Sequence, residues 1–381
     1  MTALPQGGRY DLAVLGGGIM GLACAFEETL RGKRVAVLDP NPVGHKASWA
    51  AAGILAARAG LIGATPLRQM YLRSLYGYPE WLARVETESG VSIPYERDGD
   101  YEIFPLDNED SIHALKERET QLRREKASNF SVTDELPDFL RAHSPMTRVR
   151  VFHFPGEARV QNRTLLEALE AALRKHGAEI FPVSPLSITR SERGSRITGE
   201  GWDLHTTQVL IAAGNWCDGI LKLLGFSLPL SPVKGQLATL PNFHGQRCMV
   251  HCREGLYLVL RGDRLIAGAT TESGVWNEDF DATGDAYLRD RIRTFFPAVE
   301  PEWLETWCGL RPCAADRLPL MGWVDQKKGI AICTGHYKSG ISLAPMAARC
   351  MSALLNREKS PANLAVFDPH RSGGVKKQPS I

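Results

Sequence analysis

The chain has no marked excess of charge of either sign. Its 381 residues contain 45 Lys and Arg against 43 Asp and Glu, which gives a formal net charge of +2 at pH 7. A surface with balanced charge has no field that would concentrate polyanions, so neither nucleic acid nor an anionic membrane is expected as a partner. Hydrophobic residues make up 44% and charged residues 23%, which excludes a disordered chain and predicts a folded, soluble protein.

The chain also has no CxxC pair and no dense cysteine framework, although it contains eight cysteines. Cysteines spread in this way are typical of reduced thiols, so we expect a cytoplasmic protein. Cys248 and Cys252 flank His251, but no second Cys/His pair with zinc spacing follows them. We therefore expect no metal site.

No hydrophobic run is long enough to predict a membrane span. The uncharged run 12–26 is shorter than the roughly 20 residues that a bilayer requires. It contains four glycines and follows Asp11 instead of a basic segment, so we do not expect it to be a signal sequence. The run is better explained as part of a buried strand and helix.

The first forty residues have the pattern of a βαβ unit. An apolar run over 10–15 predicts a strand, and a glycine turn over 16–21 leads into a helix that ends near Gly32. A second strand over 34–38 closes on Asp39. These parts, in this order and within about 30 residues, predict a dinucleotide-binding unit.

Each glycine of the turn has a distinct physical task in such a unit. Gly16 permits the tight turn, Gly18 allows backbone amides to approach a pyrophosphate, and Gly21 lets the helix pack closely on the strand. Asp39 would accept hydrogen bonds from ribose hydroxyls and would repel a 2′-phosphate. On these residues alone, the ligand could be FAD or NAD.

Further elements follow from local patterns. Asn162 is expected to cap a helix that ends before Gly177, and strands are expected over 180–183 and 208–213. The charged segment 107–126 is expected to form a solvated helix. Apolar runs broken by turns between 236 and 271 predict an antiparallel sheet, in which 257–260 and 265–267 are joined by a tight hairpin at Gly262 and Asp263.

The end of the chain contains one more βα unit. A strand is expected over 329–333, a loop over 335–340 and a helix over 342–356, and the tail after His370 is expected to be frayed.

A run of small residues over 47–55 follows the second strand, and small side chains let backbone groups close over a bulky ligand. Further motifs lie at 233–236, at 309–312 with Asp316, Pro319 and Gly322, and at 335–337 with 340–341 and 343–345. Together with 16–21, and in this order, they resemble the motifs of the D-amino acid oxidase superfamily, and most closely those of its glycine oxidase branch of the thiamine-biosynthesis type. The resemblance covers nearly the whole chain.

The resemblance implies non-covalent FAD and an α/β fold with an antiparallel sheet, in which a Rossmann-like FAD-binding domain accompanies a second, substrate domain. Segments 1–90, 151–225 and 309–370 would form the FAD domain, 91–150 and 226–308 the substrate domain, and 371–381 a flexible tail. The residues implied to contact FAD are Gly16, Gly18, Ile19, Met20, Gly21, Asp39, Ser48, Ala51, Ala52, Gly53, Val183, Ala213, Gly214, Gly309, Arg311, Gly335, His336, Tyr337, Lys338, Ser339, Gly340 and Ile341.

The resemblance also implies the chemistry. Arg311 would bind the carboxylate of an amino acid through two parallel hydrogen bonds, and Tyr257 would bind the same carboxylate. The Cα–H would leave as hydride to flavin N5, the imino acid would be hydrolysed, and O₂ would reoxidise the flavin to give H₂O₂. Catalysis would rest on orientation, so no base is required, and His336 would support flavin geometry.

Three positions depart from the family pattern. Lys338 stands where Arg is common, so it keeps the charge but loses the fork of donors. Gly255 replaces a His, and Leu260 replaces a Pro, on the substrate side. Cys308 and Cys313 flank Gly309–Pro312, but neither aligns with the cysteine that binds flavin covalently in sarcosine oxidases.

The leading interpretation is an FAD-dependent oxidase of glycine, sarcosine or another small amine, which we expect to be a homo-oligomer. A flavoprotein that oxidises an amino-acid residue within a peptide or protein is the second interpretation, and the substrate-side departures motivate it. A flavin-carrying binding or assembly protein without turnover is the third.

Overall fold

The computed structural model describes residues 4–56, 65–107, 109–124, 129–191, 194–253 and 255–378. The helices within these ranges are α1 Ile19–Leu30, α2 Ala47–Ala50, α3 Thr65–Tyr76, α4 Tyr78–Ser89, α5 Glu109–Arg124, α6 Asp138–Arg141, α7 Asn162–Lys175, α8 Cys217–Lys222, α9 Ala282–Phe295 and α10 Gly340–Leu355. None of these helices is long and apolar enough to cross a membrane.

The strands within the same ranges are β1 Gln6–Leu15, β2 Val35–Leu38, β3 Ile54–Leu55, β4 Tyr95–Glu96, β5 Asp100–Pro105, β6 Ser131–Thr133, β7 Val149–Phe154, β8 Ala158–Val160, β9 Glu179–Phe181, β10 Ser187–Ser191, β11 Gly194–Gly199, β12 Trp202–Ile211, β13 Phe226–Ser227, β14 Ser231–Pro241, β15 Met249–Cys252, β16 Leu256–Arg261, β17 Arg264–Gly268, β18 Glu272–Ser273, β19 Glu305–Cys313, β20 Leu320–Asp325, β21 Ile330–Thr334 and β22 Lys376–Lys377.

One sheet is built on parallel strands. β1 pairs with β2 on one side and β12 on the other, and the parallel set continues to β9 and β21. β11 and β20 add antiparallel strands beside β12 and β21. All of β2 is buried, as expected for a parallel sheet covered by helices on both faces. Residues of α1, α7 and α10 form the core on one of these faces.

The predicted βαβ unit is confirmed. α1 begins directly after Gly18 and is followed by Gly32 in the left-handed region at φ 79°. β2 then ends at Leu38, which places Asp39 at the carboxyl end of the parallel strands. This is the edge at which ligands bind in open α/β sheets.

The second sheet is mostly antiparallel. Its strand order is β18-β14-β17-β16-β15-β5-β7-β6, with β19 on the free side of β14, and β15 with β5 is its parallel pair. One face packs against α6 and α9. The predicted antiparallel sheet and its hairpin at Gly262, which has φ 62°, are confirmed. Together the two sheets give the predicted α/β plus antiparallel fold class.

Three local predictions were wrong. Asn162 does not cap α7, because Gln161 holds that position and the Asn162 side chain is buried. α5 is not simply solvated, because Ala114, Leu115 and Leu122 pack against aromatic residues of β5 and β7. The tail is not frayed over 371–378, because β22 pairs with β13 and Arg371 forms an ion pair with Asp316 at 2.7 Å. Residues 379–381 lie outside the described ranges.

Candidate active site

A cavity of about 2270 Å³ lies between the carboxyl end of the parallel strands and one face of the second sheet. Ligand pockets usually measure about 300–1,000 Å³, so this cavity can hold a dinucleotide together with a substrate. The predicted site residues that line it are Gly16, Gly18, Ile19, Met20, Asp39, Ser48, Ala51, Ala52, Gly53, Val183, Ala213, Gly214, Tyr257, Gly309, Arg311, His336, Tyr337, Lys338, Ser339, Gly340 and Ile341.

Gly21 and Gly335 were also predicted to contact the ligand, but neither lines the cavity. A Cβ at Gly21 would lie 1.9 Å from the carbonyl oxygen of Gly16, so this glycine serves the close packing of α1 on the turn. Gly335 is buried with φ 74° and begins the loop after β21. Both glycines shape the backbone that carries the lining residues.

The glycine turn fits a pyrophosphate. Gly16 has φ 115°, and a Cβ there would lie 2.6 Å from the backbone of Ala212, so only glycine fits. A Cβ at Gly18 would meet only Ser48 Oγ, at 3.3 Å, which leaves this side of the turn open to the cavity. Amides of the first turn of a helix have no intrahelical acceptor. The amide of Ile19 donates to Ser48 Oγ at 2.9 Å, and the neighbouring amides of Gly18 and Met20 can donate to phosphate oxygens.

Asp39 is held at the edge where a ribose would lie. Its carboxylate accepts hydrogen bonds from the backbone amides of Gly17, at 2.8 Å, and Asn41, at 2.9 Å. Oδ1 also accepts from Asn41 Nδ2 at 3.3 Å, whereas Oδ2 keeps a second lone pair and can still accept a hydrogen bond from a ribose hydroxyl. The open turn and the positioned carboxylate fit the dinucleotide part of FAD.

Backbone hydrogen bonds fix the run of small residues around α2. Trp307 Nε1 donates to the carbonyl oxygen of Ala50 at 2.9 Å, and Arg261 Nη2 donates to that of Ala51 at 3.1 Å. Asn162 Nδ2 donates to the carbonyl oxygen of Ser48 at 2.7 Å. Sequence reasoning missed all three donors, because each lies more than 100 positions away in the chain. The run therefore presents small side chains to the cavity on a rigid backbone.

Arg311 and Tyr257 lie on the sheet face that covers the cavity. Arg311 Nη1 donates to the carbonyl oxygens of Thr270, at 3.3 Å, and Lys234, at 3.4 Å. Tyr257 lies over Gly268, where a Cβ would come within 2.5 Å of its hydroxyl. Burial raises the pKa of Tyr257, although the neighbouring Arg311 lowers it in part, so the phenol is a neutral donor.

Lys338 and His336 come from the loop that precedes α10. Lys338 lines the cavity and is also exposed to solvent. Desolvation first, and then the guanidinium groups of Arg311 and Arg317, lower its pKa to about 8. His336 is buried, and its Nε2 atom has no hydrogen-bond partner among the described residues. A buried, unpaired ring nitrogen on a cavity wall is suited to a bound polar group.

The glycine at position 255 is explained by a residue that the sequence did not single out. Gly255 has φ 97°, and a Cβ there would lie 2.2 Å from the hydroxyl of Tyr287 on α9. The phenol of Tyr287 thus occupies the space of the missing side chain, and it lines the cavity. The glycine at position 255 therefore leaves no empty space on the substrate side of the pocket, because the Tyr287 phenol fills it.

The two cysteines near Arg311 do not line the cavity. Cys308 lies between Trp307 and Gly309 on β19, and alternate residues of a strand face opposite sides of the sheet. Burial raises the pKa of Cys308 to about 11, so it is a protonated thiol at neutral pH. Within the described ranges, no cluster of three or more His, Cys, Asp or Glu could hold a metal ion.

Comparison with known proteins gives consistent results. Residues 11–354 match the family model described as "FAD dependent oxidoreductase" (DAO). The chain is 28% identical over 381 residues to glycine oxidase of Geobacillus kaustophilus (strain HTA426), covering 96% of this chain and 98% of that protein. It is 30% identical over 378 residues to the bifunctional protein ThiO/ThiG of Synechocystis sp. (strain ATCC 27184 / PCC 6803 / Kazusa), covering 95% of this chain and 54% of that protein.

Among solved structures, glycine oxidase from Geobacillus kaustophilus superposes with a TM-score of 0.89 at 27% identity, covering 96% of this chain and 99% of that chain. Iminodiacetate oxidase from Chelativorans sp. BNC1 superposes with a TM-score of 0.82 at 22% identity, covering 94% of this chain and 98% of that chain. The second likeness concerns the fold alone.

Proposed function

Because the chain belongs to the DAO family of FAD-dependent oxidoreductases and is an FAD-dependent amino acid or amine oxidoreductase, we propose that it oxidises a small amino acid of the glycine or sarcosine kind. The observation that carries this proposal is the placement of Arg311 and Tyr257 on one sheet face above the cavity, opposite the run of small residues 47–53. A cation and a phenol so placed bind a carboxylate and fix the carbon next to it.

FAD held by these residues would supply a two-electron acceptor for the hydride of the substrate carbon and a route for the electrons to O₂. The protein residues supply orientation. Arg311 is fixed by two carbonyl acceptors through Nη1, and its other N–H groups have no acceptor among the described residues. They are therefore available for a carboxylate in a planar, two-point contact, and Tyr257 adds a third hydrogen bond.

Lys338 adds a second positive charge near Arg311. The residues of this run that line the cavity, 47, 48 and 50–53, all have small side chains, so they leave room for a bulky planar group, whereas Trp49 does not line the cavity. Gly309 has no room for a side chain, because a Cβ there would lie 2.5 Å from Ala50 Cβ. This arrangement supports catalysis by positioning, in which no side chain has to take the Cα proton.

The cofactor is proposed to be bound without a covalent link, since neither Cys308 nor Cys313 lines the cavity. The likeness to ThiO/ThiG supports a place in thiamine biosynthesis, where a small imino acid would be the product.

Peroxide formation tests the proposal. Purified holoenzyme in air should convert glycine or sarcosine to a 2-oxo acid with one H₂O₂ released per turnover, measured with a peroxidase-coupled dye and abolished by catalase. Heat-inactivated enzyme with added FAD is the control. Absence of peroxide with glycine, sarcosine and other small amino acids would contradict the proposal.

A further inference from the structure

The cavity extends beyond Arg311 and Tyr257, the two residues proposed to bind the substrate carboxylate. Across the second sheet, His251 on β15 lies directly opposite Tyr257, and Glu102 on β5 lies directly opposite His251. Residues opposite one another in neighbouring strands share a face of the sheet, so both continue the wall that carries Tyr257. The cavity lining includes both residues and extends to α5, on the side away from Arg311.

We call this part of the cavity the basic arm. Its Lys, Arg, His and Glu lining residues, apart from His113, are Glu102, Lys116, Glu117, Arg118, Arg124, His251 and Arg253. Four Lys and Arg therefore face two Glu in this part of the described chain. Arg118 Nε donates to Glu102 Oε2 at 2.7 Å, which neutralises one carboxylate, and Glu117 contacts His113 at 3.5 Å. The remaining charge favours an anion.

His251 is fixed within the arm by a buried carboxylate. Its Nδ1 atom lies 2.8 Å from Asp100 Oδ1, and the Asp100 side chain has no solvent exposure. The His251 ring centroid is 5.8 Å from that of Tyr257, so the two rings are neighbours on the wall. Because Asp100 holds Nδ1, the ring is oriented with Nε2 as its second hydrogen-bonding atom.

The surroundings favour the charged form of this ring. Burial on its own would lower the pKa of His251, but the carboxylates of Asp100, Glu102 and Glu157 outweigh it, and the pKa is raised. Asp100 and Glu157 are buried and do not line the cavity. An imidazolium in this position donates Nδ1–H to Asp100 and keeps Nε2–H for a ligand.

We propose that His251 is a specificity-determining residue, and that the preferred substrates are amino acids that carry a second carboxylate, bound by His251 in the basic arm while Arg311 and Tyr257 bind the first. The inference rests on the proposed function and narrows its substrate class. Glycine and sarcosine would use only the Arg311 end of the cavity. The reaction is unchanged: the substrate carbon loses a hydride, the amine nitrogen loses a proton, and water hydrolyses the resulting imine while O₂ becomes H₂O₂.

A pair of matched substrates tests the proposal in the holoenzyme. Iminodiacetate carries two carboxylates, and its monoamide has the same shape with one carboxylate replaced by a neutral amide. We expect kcat/KM to be at least about tenfold higher for the diacid, mainly through KM, because a charge-assisted hydrogen bond is lost with the amide. Equal kcat/KM values for the two compounds would overturn the proposal.

Substitution of His251 tests whether this residue is the cause of the preference for the diacid. We expect His251→Gln to lower kcat/KM for iminodiacetate by about tenfold to a hundredfold and to change kcat/KM for sarcosine by less than about twofold. His205→Gln is the matched control, because His205 lies outside the cavity lining and half of its side chain is exposed (50%). A parallel fall for both substrates would show a structural role and overturn the proposal.

Loss of His251 leaves Asp100 buried without its cation, which can destabilise the fold. The double variant Asp100→Asn/His251→Gln removes both charges and keeps the test valid if the single variant does not fold. It should show the same selective loss for the diacid, and retention of the diacid preference would overturn the proposal.

A binding measurement separates this inference from the proposed function. Diglycolate and methoxyacetate have an ether oxygen in place of the amine, so they cannot be oxidised, and their binding is followed by the change in flavin absorbance. Diglycolate should bind at least about tenfold more tightly, and His251→Gln should abolish the difference. If sarcosine reduces the flavin but both ethers bind alike, this inference alone is overturned. If no small amine reduces the flavin, both proposals are overturned.

Discussion

Gly235 makes room for the guanidinium of Arg311. A Cβ at position 235 would lie 2.0 Å from Arg311 Nη2 and 2.4 Å from Cζ, because the side chain lies flat on the neighbouring strand β14. The glycine therefore determines where the proposed carboxylate-binding group is placed, although it contacts no substrate itself.

Gly235→Ala is expected to displace Arg311 and to lower kcat/KM by about tenfold to a hundredfold, the loss expected for a charge-assisted contact. The FAD content should be unchanged, as Gly235 is not part of the glycine turn. Gly77→Ala is the control, because a Cβ there makes only an ordinary contact of 3.5 Å. Steady-state kinetics and the ratio of flavin to protein check the prediction, and wild-type kcat/KM in Gly235→Ala would contradict it.

Lys338 should make carboxylate binding depend on pH. Its pKa is lowered to about 8, so its ammonium group loses a proton as the pH rises through this value, and an anion is then held less tightly. Binding of methoxyacetate, which has no amine, should weaken by about threefold to tenfold between pH 7 and 9.5. Lys338→Arg stays charged over this range, so its binding should change little. Identical pH profiles for the two proteins would exclude this role.

Gly16 should be required for FAD binding for two separable reasons, its backbone angle and the lack of space for a side chain. In Gly16→Ala both effects operate, because φ is 115° and a Cβ would lie 2.6 Å from Ala212. Gly32→Ala suffers only the first, since φ is 79° and nothing lies within 4 Å. A left-handed residue costs about 1–2 kcal/mol. We expect Gly32→Ala to lose about this much stability and to keep FAD. Gly16→Ala should lose more stability and should also lose the flavin. Thermal unfolding and the flavin content of the purified proteins check both expectations.

The flavin should be released by acid. Cys308 and Cys313, which flank Arg311 in the chain, lie outside the cavity lining, so neither is placed to bond to the ring. After precipitation with trichloroacetic acid, the yellow colour is expected in the supernatant at one FAD per chain. Colour that stays with the wild-type pellet would show a covalent link and refute the prediction, and its loss from the Cys308→Ser pellet would place the link at Cys308.

The parts of the site that local sequence patterns predicted lie close together in the chain, whereas Arg311 and Tyr257 were predicted through the family resemblance. The turn from Gly16 to Gly21, α1 and Asp39 lie within one βαβ unit, and the hairpin at Gly262 joins adjacent strands, so short-range patterns were sufficient. The residues missed depend on long-range pairing. Asp100 and His251 are 151 positions apart and meet because β5 pairs in parallel with β15, which no local pattern indicates.

The same reason explains the wrong predictions. Asn162 had the residue type and position of a helix cap, but its amide is used by the backbone of Ser48, 114 positions earlier. The tail was expected to be frayed, but β22 pairs with β13 and Val375 is buried. Local propensity identified the residues in both cases, and tertiary contacts decided what they do.

The central claim is that Arg311 holds a substrate carboxylate so that the carbon next to it meets the flavin. Anaerobic mixing of the holoenzyme with sarcosine or iminodiacetate, followed by the loss of the oxidised-flavin absorbance, tests it most directly. We expect the wild-type flavin to be reduced, and Arg311→Met, with the same flavin content, to be reduced at least about a hundredfold more slowly at equal substrate concentration. A flavin that stays oxidised with every small amino acid, or that is reduced equally fast in Arg311→Met, would contradict the account.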